Sequence, residues 1–239
     1  MLLGGLLVVF FLANLWYGSV LLPWNQVWKA LTFQQLQDTY TNIIVIEYRL
    51  PQAITAMVTG MALGVAGLLL QTLFRNPLAG PSVLGISSGA SLGVALVILA
   101  GSFFNTDFLS FLNGDFQIVI AAFIGALALL ACILFVSRKI GNIVTVLIIG
   151  IMIGYLVSAI VGILQFFSRA EELHAYVLWG LGSFSKTSLS QSTFLLGVTS
   201  FGVSASLLFI KPLNALLLGE HYAKSVGVNT KLMQTSIIL

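Results

Sequence analysis

Two short segments of this chain gather side chains that can do chemistry. Glu220, His221 and Lys224 fall close together in Asn214–Val228, and Glu47 and Arg49 stand just ahead of an apolar run. The first suits docking on a partner or an ordinary amphipathic connector, the second offers charge pairing, and neither offers catalysis. The histidines, His174 and His221, fall on opposite sides of the membrane in the topology set out below and cannot share a metal. Cys132 is the single cysteine and lies inside an apolar run, which excludes an internal disulfide or a cysteine metal site. No phosphate-cradling GxxxxGK(S/T) occurs, and no His, Asp or Ser cluster converges near an interface as a membrane enzyme requires. No catalytic residue, no metal ligand and no bound cofactor is therefore assigned.

The elements that must position these groups are dictated by composition. The chain is 59% hydrophobic and 7% charged, with mean hydropathy +1.07. A soluble domain averages about 45–50% apolar and about 25% charged. The chain reads as a multi-pass integral membrane protein. Apolar runs of roughly 17–25 residues suit helices crossing a ~30 Å core rather than barrel strands. The expected fold is all-α, a polytopic transmembrane helical bundle forming one domain over residues 1–239. Six spans are predicted: Met1–Leu22, Pro51–Leu73, Leu84–Ala100, Gln117–Val136, Ile143–Phe167 and Thr193–Ile210, with Leu232–Leu239 as the start of a seventh. The first span lacks a basic leader and a small-residue cleavage site, so it reads as an uncleaved helix. Asn25–Asp38 and Glu171–Ser190 read as short helices lying along the outer surface.

Orientation follows from Lys and Arg. With a cytoplasmic N-terminus the inner loops hold Arg75, Arg138, Lys139, Lys211, Lys224 and Lys231, and the outer loops Lys29, Arg49, Arg169 and Lys186. That is the expected bias, and Trp16, Trp24 and Trp28 then sit at the outer interface. The pI near 9.1 rests on few charges and does not argue for nucleic acid.

None of the six predicted spans contains Asp, Glu, Lys, Arg or His. Ion-coupled carriers keep a titratable stop at mid-membrane and are built from inverted repeats, so a secondary carrier is the weaker alternative. What the spans do contain is small residues at helical spacing: Gly60, Gly64 and Gly67; Gly85, Gly89 and Gly93; Gly150, Gly154, Ser158 and Gly162. Such stripes serve close helix packing. Packing is the first reading for every stripe; the fifth span, which also carries Thr145 and Tyr155, is the candidate for the second one, the lining of a smooth conduit.

One ordered set of motifs goes further. Arg49-Leu50-Pro51-Gln52 opens the second span and Gln71 stands near its end. Asn76-Pro77-Leu78-Ala79, Pro81 and Leu84-Gly85-Ile86-Ser87-Ser88-Gly89-Ala90 follow. This set resembles the permease subunits of ABC importers for iron–siderophores, haem and vitamin B12 (FecCD-like). Ile149-Gly150, Trp179-Gly180-Leu181-Gly182-Ser183 and Leu217-Leu218-Gly219-Glu220 with Ala223 and Val226-Gly227-Val228 agree with the same family.

The resemblance implies a ten-helix permease, of which this chain looks like the N-terminal portion. It implies a second permease subunit, identical or homologous, two ATPase subunits that bind ATP-Mg, and a substrate-binding protein outside. Arg49 is the expected contact for that binding protein, with Glu47 as a possible internal partner; Gln52 replaces the family's second arginine. Leu218, Gly219, Glu220, Ala223 and Gly227 are expected in the loop that docks on the ATPase. Asn142, Thr145, Gly150, Gly154, Ser158 and Gln165 are expected along the path. The implied cargo is a metal chelate, iron–siderophore foremost, with haem or cobalamin open. An inactive fragment of a permease remains the other alternative.

Overall fold

A computed structural model describes residues 2–32, 39–99, 114–137 and 143–238. Among them the chain is helical: α1 (Leu2–Trp16), α2 (Trp24–Leu31), α3 (Thr39–Ile43), a π-helical turn (Ile44–Arg49), α4 (Leu50–Phe74), a 3-10 turn (Pro81–Leu84), α5 (Ile86–Ile98), α6 (Gly114–Ser137), α7 (Ile143–Phe167), α8 (Ala170–Leu181), α9 (Leu189–Ser206), a second 3-10 turn (Leu207–Phe209), α10 (Ile210–Leu217), α11 (Glu220–Ser225) and α12 (Thr230–Ile238). Asn142, Arg138 and Lys139 lie outside the described residues.

Among the described residues four helices are long and apolar enough to cross a membrane: Tyr40–Phe74, Phe116–Val136, Val144–Phe167 and Leu189–Leu217. Leu2–Trp16 and Ile86–Ile98 are apolar but shorter, so the expectation of six full-length spans is amended. The third span is short because Gly85 stands in the left-handed region (φ 75) and separates the Pro81–Leu84 turn from α5. Thirteen residues of α5 rise only about 20 Å. The second span begins well before Pro51. Proline has no N–H to bond the carbonyl four residues back and its ring crowds that carbonyl. The wider π turn just before it, Ile44–Arg49, takes up the misfit and lets the helix run through. Glu47 and Arg49 therefore lie inside a continuous helix, against the expectation of charge-free spans. The sixth span starts at Leu189 rather than Thr193. Ser188 and Gln191 form a reciprocal cap, Gln191 N–H donating to Ser188 Oγ at 3.3 Å and Ser188 N–H to Gln191 Oε1 at 3.0 Å.

The chain forms two compact units, Met1–Val65 with Ser183–Leu207, and Ala66–Gly182 with Leu208–Leu239. The first is centred on Leu15, Val27, Ala30, Val45 and Ala53. The amphipathic α2 turns Val27 and Ala30 inward and leaves Trp24, Trp28 and Lys29 exposed. The second unit has one core around Leu70, Leu73, Phe74, Leu84, Leu213, Leu216 and Met233. Another core joins Val94, Ala95, Leu99, Val161 and Tyr176. There α8 is tied to α5 by the Ser91 and Tyr176 hydroxyls, 2.5 Å apart.

Helices α5 and α6 meet on backbone. A Cβ on Gly93 would lie 2.0 Å from the Ala121 carbonyl, and one on Gly89 2.6 Å from that of Gly125. At Gly60, Gly64 and Gly67 a Cβ would meet nothing within 4 Å. The expectation that this last stripe packs against a helix is corrected for this chain: its face is open.

Candidate functional site

Arg49 is buried, 6% exposed. Its Nη1 donates to the carbonyls of Leu15 at 3.0 Å and Trp16 at 2.7 Å, and its Nη2 to that of Val20. These are last-turn carbonyls of α1 and one just beyond, groups that the helix itself leaves without partners. A cation there also meets the negative end of the helix dipole. In this chain the Arg49 guanidinium thus holds the end of α1 through three of its N–H groups, and its expected docking role outside stays a proposal. Glu47 is exposed and is not its partner, two residues apart being the wrong spacing on a helix.

The motif residues after α4 form a chain-reversal device. Arg75 N–H donates to Thr72 O at 3.3 Å and Asn76 N–H to Gln71 O at 3.1 Å. This is the paired bond pattern that ends a helix on a left-handed residue. The left-handed residue is Arg75 itself, φ 49, the only non-glycine residue with positive φ among those described. Glycine is usual there, and a side chain costs about 1–2 kcal/mol. The Asn76 side chain then accepts from Leu78 N–H at 2.9 Å. Pro77 follows where the helix cannot continue, and Pro81 opens the 3-10 turn.

Gly150 and Gly154 are buried against this device. A Cβ on Gly150 would lie 3.3 Å from Leu84 Cα, and one on Gly154 3.5 Å from Ser88 Oγ. They serve packing rather than an open lining, which corrects their placement along the path. Tyr155, Ser158 and Gly162 are exposed on the adjacent face of α7, with Gln165 half-buried on the same stripe and Thr145 half-buried nearer its start.

The α10–α11 corner is the most exposed functional candidate. Leu213 and Leu216 anchor α10 in the core, while Leu217 and Leu218 face outward. Gly219 (φ 128) and Gly227 (φ 86) bracket α11 in conformations that side chains avoid. Lys224 Nζ lies 2.7 Å from Glu220 Oε1. The Lys224 hydrogen bond holds the Glu220 carboxyl below its ordinary range, against slight desolvation, with smaller help from the charges of Lys224, His221 and Arg75. Ala223 lies in α11 as expected of the loop but is fully buried, so its small side chain serves the underside of the helix. Sequence reasoning missed Arg75, whose Nη2 donates to the carbonyl of Leu216 in the last turn of α10. The signal was there, a charged residue between Phe74 and Asn76 at a helix end. Among the described residues no three of His, Cys, Asp and Glu converge, so none is offered as a metal site.

Comparison with known proteins gives one answer. The profile of the FecCD transport family matches residues 6–239. The chain is 36% identical over 98% of its length to the hemin transport system permease protein HmuU of Yersinia pestis, spanning 67% of that protein. It is 32% identical over 93% of its length to the molybdate import system permease protein MolB of Haemophilus influenzae, spanning 65%. A solved metal-chelate type ABC transporter in an inward-facing conformation matches with TM-score 0.82 and 27% identity. That match covers 99% of this chain and 70% of the other.

Proposed function

The chain belongs to the FecCD transport family, and from that premise we propose that it serves as the membrane permease subunit of an ABC importer for a metal chelate. The α10–α11 corner carries the reading. It presents a short polar helix between two glycine hinges, with Leu217, Leu218 and Tyr222 exposed beside it. A compact helix of this kind suits the groove of a soluble partner. The chain has no phosphate-binding loop of its own, so two ATPase subunits loaded with ATP-Mg supply the energy.

A second permease subunit completes the path, and a substrate-binding protein delivers cargo from outside. The Tyr155, Ser158, Gly162 and Gln165 face of α7 lines that path, with Thr145 and Asn142 toward its inner end. Mostly apolar walls with a few hydroxyls let a bulky chelate pass without being held. Iron–siderophore is the foremost cargo, with haem or cobalamin as alternatives. The N-terminus and α11 share the cytoplasmic side.

The test uses the full-length permease and its ATPase subunits. Leu218→Glu and Tyr222→Glu alter exposed positions and are expected to abolish co-purification of the ATPase without lowering the melting temperature of the permease. Wild-type association by both variants would leave the corner a plain connector.

A further inference from the structure

We infer that Arg75 is a positioning residue, a strut that fixes the α10–α11 corner to the end of α4 so that force on α11 reaches the membrane helices. The inference rests on the reading of α11 as the ATPase contact. Several observations converge on it.

Arg75 occupies a left-handed backbone position where glycine would sit without strain. Its guanidinium ends on the Leu216 carbonyl, three residues ahead of the Gly219 hinge. Leu216 itself is buried against Leu70, Leu73 and Phe74 of α4. The hydrogen bond therefore closes a contact that the side chains already make. Arg75 also lies near enough to Glu220 to act on its charge. Beyond Leu216, Gly219 donates its N–H to the same Leu216 carbonyl at 3.0 Å and accepts from Ala223 N–H at 2.9 Å, so that carbonyl joins the start of α11 to Arg75. Without the strut, the corner would yield under load at the place where transmission is needed. A lysine could place one donor at the carbonyl but has no planar fork.

The experiment uses full-length permease bound to its ATPase subunits, in a Cys132→Ser background. Spin labels are placed at Gln71→Cys and Ser225→Cys, both exposed, and their separation is measured by pulsed electron resonance. With Arg75 intact a single narrow distance distribution is expected. Arg75→Gly relieves the backbone yet removes the strut. Loss of one charged hydrogen bond lowers the ratio of held to released corner by roughly tenfold or more. The distribution should broaden and stimulation of ATP hydrolysis by the permease should fall, while the melting temperature holds or rises. Arg75→Lys should restore part of both.

A distribution in Arg75→Gly as narrow as wild type overturns the strut. A broadened one with unchanged stimulation overturns its part in transmission. Failure of the docking reading shows separately, as ATPase association that survives Leu218→Glu and Tyr222→Glu.

Discussion

A Cβ on Gly18 would lie 2.8 Å from Nη2 of Arg49, so the missing side chain of one residue admits the guanidinium of the other. Gly18→Val is expected to expel that group from the carbonyls of Leu15, Trp16 and Val20 and to cost roughly 2–3 kcal/mol, similar to Arg49→Ala. Thermal unfolding in detergent measures both. The double variant should cost little more than either single one, because both remove the same interaction. Full additivity would show that the two residues act independently.

The two glycine stripes should behave differently. Gly93→Leu forces a side chain against the Ala121 carbonyl and is expected to destabilise by about 1–3 kcal/mol or more through overpacking. Gly64→Leu meets open space and should leave the melting temperature of this chain alone. Equal losses would place an unexpected neighbour over Gly64.

The Glu220–Lys224 pair predicts a pH response. The folded carboxyl titrates below 4.5, its ordinary value. The pair's contribution is therefore complete above that value and is lost as pH falls through the folded one. Carboxyl chemical shifts followed by NMR should place the Glu220 midpoint below that of an unfolded control, and Lys224→Met should raise it. A midpoint unmoved by Lys224→Met would show that the contact does not persist in solution.

Orientation is checked by labelling. Ser225→Cys, exposed at the end of α11, in a Cys132→Ser background should resist a membrane-impermeant maleimide added to intact cells and react after permeabilisation. Ready labelling of intact cells would reverse the topology and remove the docking role of α11.

The helical class and the course of α7 were legible in the sequence because apolar run length is a local property; of the two predicted surface segments, Trp24–Leu31 and Ala170–Leu181 are helical, while Leu189 and Ser190 already belong to α9. Ile143–Phe167 was placed to the residue. The start of the second span was not, since Pro51 signals a helix beginning and only the preceding π turn reveals a helix that passes through. Arg49 was read by analogy as a surface cation, yet its partners lie 29 to 34 residues back in the chain, a separation that no local pattern encodes. Glycine spacing located the stripes, but whether a stripe touches anything depends on neighbours: Gly89 and Gly93 have them, and Gly60, Gly64 and Gly67 do not.

The cap on α1 also imposes an order on biosynthesis. Trp16 is made 33 residues before the arginine that takes its carbonyl. At ribosomal speeds of ~5–20 residues per second that is a delay of about 2–7 s. A helix of fifteen residues reaches its length far sooner, on a microsecond scale. Its C-terminal end must therefore wait without that donor until Arg49 has been made. A translation pause placed between Gly18 and Arg49 would lengthen that wait, and the newborn first helix would be most open to quality-control proteases during it.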